Sequence, residues 1–448
     1  MKYFLAIIGG GPAGYTAAAE ASKKGKDVVL FEQNTLGGTC LNVGCIPTKT
    51  LLYSAKQYYN ATHADKYGIK ATEVSFDYQK IAQRKQKVVR KLVAGIKQKL
   101  NNDHCTVVSG MAFVVSRTDD TVVIACGEQQ YEAENLLICT GSSNFVPPIR
   151  GVQDNTAVWD STSALAANTL PQSMIIVGGG VIGMEFATLY HEFGVPVTVI
   201  EAMPNILPNL DQEVVKILRD KYEKAGIRIL TSTKVMSLNQ NQVTAQTSEG
   251  ETLTLEAEHI LISVGRRPNL DGLEALDGLE FTRKGINVDE GMRTNLPNVY
   301  AAGDITGKIM LAHVASRQAE VAVNRMLKTI PVQRIAYNAI PSVVYTNPEI
   351  ASVGLTEQDA ADIPHEVRTM PMTFSGRFVA ENEAETGLCK MLVDSKHNTV
   401  LGVHMIGNPC SEFVAAASFA VRMGYTVDEC KQVVFPHPTV SEILKEIL

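Results

Sequence analysis

The chain has 448 residues, 45% of them hydrophobic and 20% charged, with a net charge of −6. This length exceeds a single hydrophobic core, so about two to four domains are expected. The acidic balance argues against a nucleic-acid footprint, and eight cysteines in so long a chain do not make a disulfide scaffold.

The chain opens Met1-Lys2-Tyr3 and then runs apolar over residues 4–8, too short for a secretory signal or a membrane span. The expectation is a cytoplasmic protein that begins at its first β-strand. Gly9, Gly10, Gly11 and Gly14 follow, then an alanine-rich helical stretch, then a second apolar run that ends at Glu32. Strand, glycine turn, helix and strand ending in an acid form a dinucleotide-binding pattern. The glycines let a pyrophosphate approach the helix N-terminus, and the acid accepts a ribose hydroxyl.

Cys40 and Cys45 come next, with Gly37, Gly38 and Thr39 before them and Gly44 between. The glycines permit the tight turn that a Cys40–Cys45 disulfide needs, although spacing alone does not guarantee it. Ile46-Pro47-Thr48-Lys49 reads as a helix start with Pro47 at the first helical position. Cys45 would then stand just ahead of the helix's positive end, with the Lys49 charge one turn on. Both lower a thiol pKa, and the thiolate is the reactive form. The passage reads as a redox-active dithiol with one sulfur kept ionised. Half of a zinc site, or two inert core thiols, would use the same residues. No second closely spaced Cys/His pair completes four zinc ligands, so no metal is expected. Inert thiols are rarely set among so many glycines. The other six cysteines are scattered, as in a reducing compartment where the one disulfide is catalytic.

Residues 75–100 read as a helix rich in Lys and Arg, taken as a solvated face in preference to a basic surface for a partner. Strand-like runs follow at 107–108, 113–115 and 122–124. The run at 136–139 leads into Thr140-Gly141-Ser142, and residues 144–148 read as a linker. The glycine pattern then repeats. Gly178, Gly180 and Gly183 open a helix, and a strand at 197–200 ends at Glu201. Gly9 to Gly178, Gly14 to Gly183 and Glu32 to Glu201 are displaced by one and the same interval. Two dinucleotide units in one chain imply two nucleotides. The second unit closes at residues 260–268, through Gly265-Arg266. A short strand then ends in Gly303-Asp304, putting a carboxylate at a strand's C-terminal edge, where open α/β sheets bind ligands. An Asx-turn or helix-cap aspartate fits the same residues.

From residue 340 onward the texture is that of a separate α+β domain. It ends with His437 between two prolines and Glu442 five residues on. Glu442 could hold one imidazole nitrogen and raise the basicity of the other. Read alone, His437 is better taken as a surface histidine in a rigid turn; beside a reactive dithiol that needs a proton acceptor, the balance reverses.

Residues 40–49, with His437-Pro438-Thr439 and Glu442, resemble the FAD-dependent pyridine nucleotide–disulfide oxidoreductases over nearly the whole chain. Within that family the pattern is most similar to members that oxidise dihydrolipoamide. The resemblance implies α/β and α+β architecture: two Rossmann-like dinucleotide-binding domains, for FAD (1–145) and NAD (146–268), a return segment (269–335), and a C-terminal α+β dimerisation domain (336–448). Catalysis would fall to Cys40, Cys45, His437 and Glu442, the histidine coming from the other subunit of a homodimer. Contacts to tightly bound FAD are implied for Gly9, Gly11, Gly14, Glu32, Gly38, Thr39, Lys49, Ala112, Thr140, Gly141, Ser142, Asp304, Met310, Leu311, Ala312 and His313. Contacts to NAD are implied for Gly178, Gly180, Gly183, Glu185, Glu201, Val235 and Gly265, with Lys49 and Glu185 paired beside the flavin. The implied activity is oxidation of protein-bound dihydrolipoamide with reduction of NAD. The partners would be lipoyl-bearing subunits of 2-oxo acid dehydrogenase or glycine cleavage complexes, with no nucleic acid. The alternatives are a reductase of another small, glutathione-like disulfide, and a non-catalytic flavoprotein redox sensor. After Glu201 no arginine stands ready for a 2′-phosphate, which favours NAD over NADP. The terminus lacks the extra cysteine pair expected of a mercuric-ion reductase.

Overall fold

A computed structural model describes residues 2–329, 333–382 and 385–448. The expected chain start at Met1, residues 330–332 of the expected return segment and residues 383–384 of the C-terminal region lie outside them. The chain divides into two units: Met1–Thr50 with Gln79–Phe145 and Gly265–Ile335, and Leu51–Tyr78 with Val146–Val264 and Ala336–Leu448. The boundary at Thr50/Leu51 falls inside one helix, Cys45–Thr62.

In the first unit, Lys2–Ile8 is a central strand, paired in parallel with Val28–Glu32 on one side and Gln129–Ile138 on the other. Cys105–Ser109 extends the sheet beyond Val28–Glu32. The strand Gln129–Ile138 is used twice along its free edge. Its first half carries an antiparallel hairpin with Val122–Cys126, and its second half pairs in parallel with Val299–Ala301. Parallel strands buried on both faces are apolar throughout. Leu5, Ile7 and Leu30 accordingly face a layer containing Ala13, Ala17, Ala315 and Ala319. Ala6, Ile8, Val29 and Phe31 face Val114, Ile124 and Ile305. The small alanines let helices Pro12–Lys23 and Ala312–Met326 lie close together beneath the strand ends. The second of these helices is a full element where the sequence offered only a contact segment at 310–313.

The second unit repeats the parallel arrangement with Arg228–Leu230, Val197–Ile200, Met174–Val177, His259–Ile262 and Val158–Trp159. It adds a three-stranded antiparallel sheet of Thr233–Asn239, Gln242–Thr247 and Thr252–Glu256. Its last sheet is antiparallel, in the order Ser342–Val344, Ile350–Gly354, Val400–Ile406, Leu388–Asp394 and His365–Pro371. Helix Cys410–Met423 shares that sheet's core through Cys410, Val414, Ala417 and Val421.

One buried cation joins two parts of this unit. Lys390 is 2% exposed, and its ammonium lies 3.1 Å from Asp211, 3.0 Å from Glu213 and 2.6 Å from Glu357. Burial by itself favours the neutral amine, but three carboxylates outweigh it and raise the pKa. Asp211 also caps helix Gln212–Lys224 by accepting from the Glu213 and Val214 amides.

Candidate active site

The dithiol stretch folds differently from its sequence reading. Cys40 sits inside a short helix, Gly38–Val43, and Gly44 breaks the chain with φ −145° and ψ −111°. Cys45 is then the first residue of the long helix Cys45–Thr62, not the residue ahead of it. Pro47 is therefore the third helical residue, not the first. It is tolerated there because amides of the first turn have no intrahelical partner to lose. The reason for the shift is Gly44. Having taken the break on itself, it lets the helix restart at once.

Gly44 is also sterically required. A Cβ there would lie 2.9 Å from the Thr39 carbonyl oxygen and 3.3 Å from Cys40 Cα. The Asn42 amide ties the turn together by donating to the Thr35, Leu36 and Gly38 carbonyls at 3.2, 3.1 and 3.0 Å. Thr48 Oγ1 donates to the Gly44 carbonyl at 2.7 Å. The Cys40 thiol is hydrogen-bonded to the Cys45 side chain. That bond, burial, and the charge of an ionised Cys45 raise the Cys40 pKa well above a free thiol's, against the opposing pull of Lys49. Cys45 lies at a helix N-terminus, where a thiolate is favoured.

This dithiol is packed on the first glycine turn. Gly9 has φ +105°, and a Cβ on it would meet the Cys139 carbonyl oxygen at 2.3 Å. A Cβ on Gly14 would come within 1.8 Å of the Gly9 carbonyl oxygen. Gly38, at the head of the Cys40 helix, lies so near Gly11 that its own Cβ would stand 2.7 Å from Gly11 Cα. Gly11 caps helix Pro12–Lys23 with no side-chain hydrogen bond, which leaves the first-turn amides for an anion. Glu32 accepts from the Gly10 and Asn34 amides at 2.8 Å each. Ribose binding would therefore draw on the carboxylate's remaining lone pairs.

The strand end at Gly303-Asp304 converges on the same place. A Cβ on Gly303 would lie 3.4 Å from that of Ala315 and 3.5 Å from that of Ala13. The Gly303 amide donates to Gln318 Oε1 at 2.6 Å. Asp304 accepts from Ser142 Oγ at 2.6 Å, and Arg266 donates to Ser142 Oγ and its carbonyl at 2.8 and 2.6 Å. Thr140 and Asn269 exchange hydrogen bonds at 2.8 and 2.9 Å, and Gly141 turns at φ +70°. Met310 and Leu311 precede helix Ala312–Met326, with Ala312 and His313 in its first turn, while half-buried Ala112 heads strand Ala112–Arg117. Sequence reasoning missed Arg266, Asn269 and Gln318. Gly265-Arg266 was visible only as the close of the second unit.

The second glycine turn copies the first. Gly178 has φ +108°, and a Cβ on it would meet the Ser263 carbonyl oxygen at 2.6 Å. A Cβ on Gly183 would approach the Gly178 carbonyl oxygen to 1.9 Å. Gly180 caps helix Val181–Glu192 with no side-chain bond. Glu201 accepts from the Gly179 and Met203 amides at 2.6 and 2.7 Å. Glu185, 4% exposed, accepts from the Tyr345 amide at 3.1 Å. The Val235 side chain is buried in a core with Val177 and Ile200, so it supports the strand ends from beneath. Gly265 is exposed, and its carbonyl accepts from the Phe145 amide at 3.0 Å.

His437 precedes a cis proline, and its Nδ1 lies 3.0 Å from Glu442 Oε1. The other carboxylate oxygen accepts from the Thr439 amide at 2.8 Å. That amide first, and then His437, hold the Glu442 pKa below the usual range. With Nδ1–H given to a carboxylate that stays charged, Nε2 is left as the basic nitrogen. The His437 side chain is 80% exposed. Among the described residues no helix is long and apolar enough to cross a membrane, and no group of three His, Cys, Asp or Glu is placed to hold a metal ion.

Comparison with known proteins adds three findings. The family described as pyridine nucleotide-disulphide oxidoreductase matches residues 3–319, and its dimerisation domain matches residues 340–448. A dihydrolipoyl dehydrogenase of Bacillus subtilis is 37% identical over 99% of this chain and 97% of its own length. One of Geobacillus stearothermophilus is 35% identical over 98% and 94%. Among solved structures, LpdA of Mycobacterium tuberculosis superposes with a TM-score of 0.89 at 27% identity, covering 99% of this chain and 98% of its own. The HOCl-induced flavoprotein disulfide reductase RclA of Escherichia coli superposes with a TM-score of 0.86 at 28% identity, covering 99% of each chain.

Proposed function

Since the chain belongs to the pyridine nucleotide-disulphide oxidoreductases, we propose that it oxidises dihydrolipoamide to lipoamide and reduces NAD, using Cys40–Cys45 and bound FAD. The observation that carries this reading is the hydrogen-bonded Cys40–Cys45 pair at a helix N-terminus, packed on a dinucleotide-type glycine turn. The cradle at Gly9, Gly11 and Gly14, the uncapped helix, Glu32 and the Asp304 strand end fit FAD. The matching set from Gly178 to Glu201 fits a nicotinamide dinucleotide. Residues 1–145 and 269–335 would hold the flavin, 146–268 the nicotinamide nucleotide, and 336–448 the dimer contact.

The chain's residues then act as follows. Nε2 of His437 takes a proton from one substrate thiol, with Glu442 stabilising the imidazolium. The substrate thiolate attacks Cys40 Sγ in the oxidised enzyme, the Cys40–Cys45 bond breaks, and Cys45 leaves as a thiolate. The second substrate thiol gives up its proton as its sulfur attacks the first and closes the ring disulfide. Cys40 is expelled and takes up that proton. When bound, FAD supplies two-electron acceptance from the dithiol and hydride donation to NAD. His437 is exposed in one chain, and in a homodimer it would serve the dithiol of the other subunit. The partners on this reading are the lipoyl-bearing subunits of a 2-oxo acid dehydrogenase or glycine cleavage complex, and the setting is the cytoplasm.

The nicotinamide choice rests on Glu201. Its carboxylate would repel a 2′-phosphate and accept a free 2′-hydroxyl. Glu201→Arg is expected to move the NAD-to-NADP ratio of kcat/KM toward NADP by at least roughly tenfold, since one favourable charge contact is worth about 1.4 kcal/mol or more. Steady-state rates with both nucleotides check this, and an unchanged ratio would contradict it. The same carboxylate argues against a glutathione-type reductase drawing on NADPH.

A further inference from the structure

We propose that the exposed cationic face of helix Tyr78–Leu100 docks an acidic protein domain that carries the dihydrolipoyl group to Cys40–Cys45. This rests on the dihydrolipoamide reading and extends it to the form in which the substrate arrives.

The helix holds Lys80, Arg84, Lys85, Lys87, Arg90, Lys91, Lys97 and Lys99 and no acidic residue, in a chain whose net charge is −6. At 3.6 residues per turn, Arg84, Lys87 and Lys91 fall on one stripe with Arg90 beside it. All four are exposed. The opposite side is the packed one, where Ala82, Val93 and Leu100 are buried. Lys87, Arg90, Lys91, Lys97 and Lys99 have no ion pair among the described residues. Like charges at i,i+3 and i,i+4 weaken a helix, so this spacing costs stability and nothing within the helix offsets it. An acidic surface laid on the stripe would.

The face also lies beside the chemistry. Arg84 Nη1 donates to the Thr50 carbonyl at 2.9 Å, and Thr50 belongs to the helix that begins at Cys45. Five residues of helix span about 7.5 Å. A carrier held on the stripe would therefore present a dithiol on a flexible arm close to Cys40. A long polyanion such as nucleic acid would meet repulsion from the rest of a net-negative chain.

Complementary charge acts mainly on association rate and salt dependence. The test uses the flavin-loaded full chain and its Lys87→Glu/Arg90→Glu/Lys91→Glu variant. Two substrates are compared across ionic strength: a dihydrolipoylated acidic lipoyl domain and free dihydrolipoamide. The expected result is a fall of roughly tenfold or more in kcat/KM for the domain at low salt, with a flattened salt dependence, and no change for free dihydrolipoamide. A milder Lys87→Gln/Lys91→Gln variant is expected to lie between. Equal loss on both substrates, or none on the domain, overturns the proposal. So does charge-dependent binding of phosphatidylglycerol vesicles or single-stranded RNA with unaltered domain kinetics. If free dihydrolipoamide is not oxidised by the unaltered protein, the activity itself is refuted, and the carrier with it.

Discussion

Cys45→Ser is expected to reduce dihydrolipoamide oxidation by roughly a thousandfold or more, about 4 kcal/mol of transition-state stabilisation. A serine cannot form the disulfide that the substrate thiolate attacks, nor hold the thiolate that leaves. The substitution is nearly isosteric at a half-buried first helical residue, so the fold and the yellow flavin should survive. A second consequence concerns Cys40. Its hydrogen bond to Cys45 is the largest influence raising its pKa. With that bond weakened and the neighbouring charge gone, the Cys40 pKa falls. At a fixed pH near neutrality more of it is thiolate, and its alkylation should be faster than in the reduced unaltered protein. Steady-state assay and timed iodoacetamide labelling check both parts. Substantial turnover in Cys45→Ser would place the redox chemistry elsewhere.

His437→Gln should cost on the order of 10²–10⁴ in the same turnover, the usual range for a positioned base. Glu442 is anchored by the Thr439 amide and holds Nδ1 at 3.0 Å, so the ring's orientation and tautomer are set. Glutamine keeps the size of the side chain but has no basic nitrogen. Oxidation of NADH by a small-molecule acceptor needs no thiol proton and should be unchanged. Loss of both activities together would indicate a damaged fold, and retention of both would require another base.

Legibility in the sequence followed the range of the interactions. Glycine turns are local, because each demands a φ or a clearance that only glycine meets. Gly9, Gly14, Gly178 and Gly183 could therefore be read directly and stand with matching geometry. The His437–Glu442 pair is likewise a matter of five residues. The restart of the helix at Cys45 depends on where Gly44 takes the break, and propensity alone favoured Pro47 as the first helical residue. Helix Ala312–Met326 was read only as a contact segment because its many alanines give a weak apolar signal. They are small so that the helix can lie against Ala13 and Ala17. The Asp304–Ser142–Arg266 linkage and the Lys390 cluster join residues more than a hundred positions apart. No local pattern announces them.

The most direct measurement is to trap the two sulfurs in the act. The flavin-loaded protein, kept under anaerobic conditions, is given one equivalent of dihydrolipoamide. Half is quenched at once with iodoacetamide, and half only after excess NAD is added; both are then mapped by mass spectrometry. The account predicts label on Cys40 and Cys45 in the first sample and a Cys40–Cys45 disulfide in the second, with NADH formed in proportion. A pair that stays linked after the substrate, stays labelled after NAD, or leaves the label on other cysteines would contradict it.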